Sequence, residues 1–212
     1  TVDTILNIDE SKINYDLIEE VLLLLTNRQS GRGIKGDGPI EKKFRLAMAA
    51  LETTGETHSN AILIFFPGLG QIQTMFDRLA SHRRFSDSKK FRILRLHSSL
   101  SSQKEQAGVF RIPPPGVQKI ILSTNIAETG VTIPDVCYVI DCGKVKQMNF
   151  KTKTRIQALE EVFTSRASLQ QRAGRAGRVR PGMCFQMLSA CLQEQRLADF
   201  AKPEMLRVSL ES

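Results

Sequence analysis

Ile62-Leu63-Ile64-Phe65-Phe66 is an unbroken apolar run that ends at Pro67-Gly68, and the chain beyond it changes to helical spacing over about residues 69–81. Further runs of strand length stand at Ile93–Leu96, Ile120–Ser123 and Cys137–Asp141, with a weaker one at Cys184–Leu188 and a second helical stretch at about 101–110. Continuous apolar strands, unlike alternating ones, are covered on both faces. Strands that alternate with helices are joined by right-handed βαβ crossovers into a parallel sheet. The fold class is therefore α/β, a doubly wound parallel sheet with a core over 61–188. Ligands of such sheets bind beyond the carboxyl ends of the strands, so the segments after each strand carry the functional question.

Outward from that core, Ile13, Leu17, Val21, Leu24 and Leu25 recur at helical spacing with Asp16, Glu19 and Glu20 opposite them, which predicts an amphipathic helix over about 14–26. The stretch 27–60 then changes composition. It carries Gly31, Gly33, Gly36, Gly38 and Pro39 among Arg and Lys, followed by a short helical pattern at Phe44, Ala47, Met48 and Leu51. It reads as a surface insertion, part of it disordered, and not as a domain boundary. The 212 residues are read as one lobe, 1–212, although a chain that starts at Thr1 without Met and stops at Ser212 also reads as a piece of something longer.

Composition narrows the class. With 41% hydrophobic and 25% charged residues, the chain is neither a disordered polymer nor a fibrous repeat. Thirty Lys and Arg against 22 Asp and Glu leave +8 and a pI near 9.5, which suits a polyanionic partner. Cys137, Cys142, Cys184 and Cys191 form no C-x-x-C pair and have no histidines at zinc spacing; His58, His82 and His97 are scattered, so no metal site is expected. Free thiols in a reducing compartment are the simpler reading. No run approaches the ~18 apolar residues of a membrane span, and no secretory signal is visible.

Two segments carry chemistry. The first is Gln171-Arg172-Ala173-Gly174-Arg175-Ala176-Gly177-Arg178. On a helix, positions 171, 175 and 178 fall on one face, so an amide and two guanidiniums project together. Two glycines weaken such a helix by about 1 kcal/mol each, which calls for close backbone approach as their reason. Guanidiniums suit phosphate oxygens, and a Gln can hold an attacking water; the plainer alternative is a solvated basic helix end. The second segment, Ser123-Thr124-Asn125-Ile126-Ala127-Glu128-Thr129-Gly130-Val131-Thr132-Ile133-Pro134-Asp135, starts where a buried strand ends and supplies neutral donors to the sheet's carboxyl edge. Such donors can hold a phosphodiester or a ribose without reading bases; the plainer alternative is the common capping of strand ends by Ser and Thr.

Taken together, the two segments resemble motifs VI and V of superfamily 2 helicases of the DEAH-box and RNA-helicase-A group. Ile62–Gly68 is similar to motif IV of that group and Leu96–Leu100 to its motif IVa, in the family's order. Pro113–Val117 and Ile133–Val136 look most like the branch that includes RNA helicase A and a ribosome-associated initiation helicase. The resemblance implies the second RecA-like lobe, of the P-loop NTPase type, of a two-lobed ATP-dependent RNA helicase, with an inserted β-hairpin over about 143–159. No G-x-x-x-x-G-K-[ST] and no D-E-x-H or D-E-x-D occurs in the chain. The groups that cradle ATP and hold Mg²⁺ are accordingly expected on a first lobe outside it, and this lobe alone should not hydrolyse ATP.

By that resemblance Arg175 and Arg178 are arginine fingers and Gln171 orders the attacking water, while Arg172 either joins them or makes internal ion pairs. Phe110 stands where the family stacks an aromatic on adenine, the alternative being a core residue. Gly130, Thr132 and an acid are expected at the ribose; Pro134 occupies the position where some relatives carry that acid, so Asp135 is the candidate. Gly68, Ser98, Thr124 and Asn125 are expected on the RNA backbone. Lys144 and Lys146 belong to a hairpin that carries further charge at Lys151, Lys153 and Arg155 and either braces a duplex junction or is simply solvated. The implied partners are RNA read through its backbone, the first lobe of the same polypeptide, and a ribosome or activating protein, with no membrane and a cytoplasmic or alternatively nuclear location. The competing function is a non-catalytic RNA-binding scaffold derived from a helicase.

Overall fold

The computed structural model describes residues 9–27, 60–99, 103–151, 156–178, 181–203 and 207. The expected insertion and its short helix lie almost wholly outside these residues. The described elements run α1 (Tyr15–Asn27), β1 (Ala61–Phe65), α2 (Leu69–Ser81), β2 (Phe91–Leu96), α3 (Gln103–Phe110), β3 (Gln118–Ser123), α4 (Ile126–Thr129), β4 (Val136–Asp141), β5 (Lys144–Lys151), β6 (Ile156–Phe163), α5 (Arg166–Ala173), β7 (Met183–Gln186) and α6 (Ala190–Gln195).

Five strands form one sheet in the order β2-β3-β1-β4-β7, and every neighbouring pair is parallel. β1, β3 and β4 are buried at every position, as their continuous apolar runs require. Side chains alternate across the sheet, so Ile62 and Ile64 pack with Ile18 and Leu22 of α1 and with Ile72 and Met75 of α2. Leu63 and Phe65 pack on the other face with Val109 of α3, Ala127 of α4 and Ala176. α1 is clamped to α2 by Arg78, whose Nε lies 2.7 Å from Glu19 Oε1.

The hairpin is longer than expected. Its return strand reaches Phe163, with Lys144 opposite Phe163, and the Thr164 N–H donates to the Gly143 carbonyl at 2.9 Å to close its base. The antiparallel pairing runs to the end of Leu159-Glu160-Glu161-Val162-Phe163 because each further residue still finds a partner on β5. Gly143 makes the turn out of the parallel sheet at φ +71°, a conformation open to glycine at little strain.

Candidate functional site

The second of the two motif segments begins on Ser123, the last residue of β3. Thr124 is buried with its N–H on the Leu96 carbonyl, while Asn125 is exposed and precedes the short α4. Ser98 is exposed beyond β2, and Gly68 lies between β1 and α2 in extended backbone. All four stand at the carboxyl edge of the sheet. A β-carbon on Gly68 would lie 2.9 Å from Cδ of Lys146, so the motif IV turn and the hairpin lysine face each other directly. Beside them is a cleft of ≈ 970 Å³ whose polar walls include Asn125, Lys146, Ser165, Ser168, Arg196 and Glu128, set among apolar side chains such as Phe150 and Phe200. Lys144 is not part of that lining. It is 5% exposed, its Nζ is 3.2 Å from Glu161 Oε1, it also donates to the Ser11 carbonyl, and it stands over the Phe163 ring. Its charge is consumed inside the fold, which corrects the expectation that it meets RNA. The side chains of Lys151, Lys153 and Arg155 lie outside the described residues.

The arginine segment departs from the expected continuous helix. Ser165 caps α5 by accepting from the Ser168 N–H at 3.2 Å, and α5 ends at Ala173. From Gly174 the chain continues in tighter turns, with Arg175 N–H on the Arg172 carbonyl and Ala176 N–H on the Ala173 carbonyl. Residues 171, 175 and 178 are thus not three members of one helical face. Close approach is not the reason for these glycines, since a β-carbon at Gly177 would meet nothing within 4 Å and one at Gly174 would make only ordinary contacts. The tight approach is elsewhere, at Gly182, whose β-carbon would lie 1.9 Å from the Ala176 carbonyl oxygen.

Each arginine of this segment has a different environment. Arg172 is 1% exposed; its Nε donates to Glu128 Oε2 and its Nη1 to Asp141 Oδ1, both at 2.9 Å, with the guanidinium carbon 5.0 Å from the Phe65 ring centre. Of the two readings left open for it, internal pairing is the one observed. Arg175 donates from Nη1 to the Val131 carbonyl at 2.7 Å and from Nη2 to the Glu128 carbonyl. Burial and the neighbouring Arg178 charge hold the Arg175 guanidinium below its ordinary value. Arg178 is exposed beside it, and Gln171 is exposed on the last turn of α5. The turn 174–178 therefore rests on the 128–133 loop, which presents Gly130 and Thr132 to solvent. Phe110 closes α3 on the same face of the sheet and is 40% exposed, which leaves a ring face available.

Residues 42–180 match the family model described as the helicase conserved C-terminal domain. The chain belongs to this family. It is 44% identical to the ATP-dependent RNA helicase DHX29 of Mus musculus over 211 residues, all of this chain and 14% of that protein. It is 46% identical over 156 residues to the ATP-dependent DNA/RNA helicase DHX36 of Homo sapiens, 74% of this chain and 15% of that one. The chain thus spans about a seventh of the length of these relatives. Among solved structures it is similar to the E. coli DExH-box NTPase HrpB, with a TM-score of 0.64 at 34% identity over 77% of this chain and 19% of that one. The sheet is the RecA-like fold of the DExH helicases, and the resemblance to the DEAH-box group holds.

A further expectation, that Asp135 meets the ribose, also needs correction. Asp135 precedes β4 at the amino edge of the sheet, is 2% exposed, and faces Lys119 with Oδ1 2.6 Å from Nζ. A carboxylate committed to a buried cation is not offered to a ribose. Sequence reading passed over Lys119, Glu128 and Asp141, although a lysine inside the apolar run Gln118-Lys119-Ile120-Ile121-Leu122 was a visible signal that a buried partner must exist. Among the described residues no group of three or more His, Cys, Asp or Glu stands close enough to hold a metal ion, and no helix is long and apolar enough to cross a membrane.

Proposed function

We propose that this chain is the C-terminal motor lobe of an ATP-dependent RNA helicase, whose hydrolysis of ATP against a first lobe drives RNA translocation, unwinding or ribonucleoprotein remodelling. The observation that carries the reading is the turn 174–178, anchored through Arg175 to the 128–131 main chain and leaving Arg178 exposed beside it. An exposed guanidinium on a rigid support is suited to a phosphate that arrives from a second body. Arg175 reaches that phosphate only by releasing its carbonyl partners, so its contact belongs to the closed arrangement of the lobes, a differential contact between two states. Gln171 orders water, Phe110 stacks on the base, and Gly130 and Thr132 meet the ribose. Mg²⁺ is held by groups of the first lobe, and the isolated lobe is inactive in hydrolysis.

RNA lies along the carboxyl edge, with Gly68, Ser98, Thr124, Asn125 and Lys146 on its backbone. The cleft lined by Asn125, Lys146 and Arg196 supports this reading, as does the apposition of Lys146 and Gly68. Phosphate contacts fix position and carry no sequence information. In the full-length protein, Lys146→Ala is expected to weaken single-strand binding to a similar degree for unrelated sequences and to lower the salt slope by about one. A loss confined to one sequence would contradict backbone recognition. A ribosome or an activating protein as partner, and cytoplasmic residence, belong to the same proposal; four free cysteines suit a reducing compartment.

A further inference from the structure

Lys119, the second residue of β3, has no solvent exposure, and its ammonium has three acceptors around it. Nζ donates to the Val109 carbonyl at 2.8 Å and to the Arg111 carbonyl at 3.0 Å, and it lies 2.6 Å from Asp135 Oδ1. Two of its three protons go to carbonyl acceptors, and Asp135 stands beside it as an ion-pair partner whose carboxylate oxygens have no hydrogen bond. The two carbonyls flank Phe110, and Asp135 ends the loop that carries Gly130 and Thr132. The far side of the arrangement is fixed as well, because the Asp135 carbonyl accepts from the Ala61 N–H at 2.8 Å and ties that loop to β1.

The chemistry is specific to this position. Burying an ion pair seldom stabilises a fold more than apolar side chains of the same volume would, so hydrogen bonds aimed at particular carbonyls point to orientation as the gain. Burial pushes the Lys119 ammonium below its ordinary value, and the Asp135 carboxylate opposes that shift. The main chain on both sides of Phe110 is held while the ring itself remains 40% exposed. A main chain held in this way gives up less freedom when a flat ligand stacks on the ring it carries.

We propose that Lys119, paired with Asp135, is a positioning residue for the nucleotide: it sets the Phe110 ring and the 130–135 loop at a fixed separation, so that a base stacks and its ribose meets Thr132 in one pose. This rests on the reading of Phe110 as the base-stacking residue. Neither Lys119 nor Asp135 touches the nucleotide.

The test measures RNA-stimulated ATP hydrolysis of the full-length protein against ATP concentration. The variants are Lys119→Met, Asp135→Asn, Phe110→Ala and the Phe110→Ala/Lys119→Met pair. Phe110→Ala is expected to raise KM for ATP about fivefold or more with kcat nearly unchanged, since stacking on a base is uniform binding. Lys119→Met and Asp135→Asn are expected to raise KM about threefold or more with kcat within about twofold, and Lys119→Met is expected to add less than about 1.5-fold once the ring is gone. Should Lys119→Met fail to fold, Asp135→Asn keeps an acceptor of the same shape and carries the same expectation. Wild-type KM in Lys119→Met and Asp135→Asn, with only a lowered melting temperature, overturns the positioning role while leaving the stacking reading intact. An equal rise in KM with and without the ring also overturns it. Wild-type KM in Phe110→Ala overturns the stacking reading itself, and the proposal with it.

Discussion

Arg172 and Arg178 belong to one motif and have opposite duties. Arg172 has Asp141 and Glu128 as partners and almost no exposure. Replacing it with Met strands the Asp141 carboxylate, which is fully buried, and such losses run to about 3–5 kcal/mol. Chemical denaturation of Arg172→Met should show a drop of that order, largely restored by adding Asp141→Asn, which removes the unpaired charge. The cysteines divide in the same way between surface and interior. Cys191 is exposed, whereas Cys142 is buried and its thiol is pushed by burial from 9.0 up to about 12; Cys184 is raised to about 12 for the same reason. A native-state alkylating agent at mild pH should therefore label Cys191 and spare Cys142, as mass spectrometry would show. Because the folded state keeps a proton that the unfolded thiol loses, this contribution to stability is complete below pH 9.0 and is lost as pH rises toward about 12. A Cys142→Ala/Cys184→Ala variant should show a shallower decline across that window.

The elements of the sheet were legible in the sequence because burial on both faces leaves a continuous apolar run, and β1, β3 and β4 have little else. The arginine turn was legible in its residues but not in its shape. Helical spacing groups 171, 175 and 178, yet the chain leaves the α-helix at Ala173 for tighter turns that a wheel does not represent. The hairpin's return strand runs past Leu159 because Glu160 and Glu161 continue the alternation of β6, and Glu161 supports Lys144 across the pair. Asp135 and Lys144 were misread for one reason. Charge in a sequence signals a surface until tertiary structure supplies a buried counterpart, here Lys119 for one and Glu161 for the other. Besides the Arg175 anchor, the turn is packed against residue 182, where Gly182 admits the Ala176 carbonyl. Gly182→Ala forces backbone against backbone and should cost on the order of 3 kcal/mol, read as a lowered denaturation midpoint.

At the scale of the whole molecule, the sheet divides its labour by edge and face. Its carboxyl edge gathers Gly68, Ser98, Thr124 and Asn125, and the hairpin places Lys146 over the first of these. The face covered by α3, α4 and the 174–178 turn gathers Phe110, the 128–133 loop and the two arginines. On the proposed reading, an RNA strand at the carboxyl edge and a nucleotide at that face are held by the same sheet, so that a shift against a first lobe moves both. On the proposed reading Arg178 is the finger already exposed, whereas Arg175 is tied to carbonyls until the lobes close and Arg172 is sealed in the interior. The most direct test is RNA-stimulated ATP hydrolysis by the full-length protein, wild type against Arg178→Ala. The expected result is a fall of about 10³-fold or more in kcat, with single-strand binding and melting temperature unchanged. Hydrolysis at the wild-type rate in a folded, RNA-binding Arg178→Ala protein would contradict the reading of this lobe as half of an ATP-hydrolysing site.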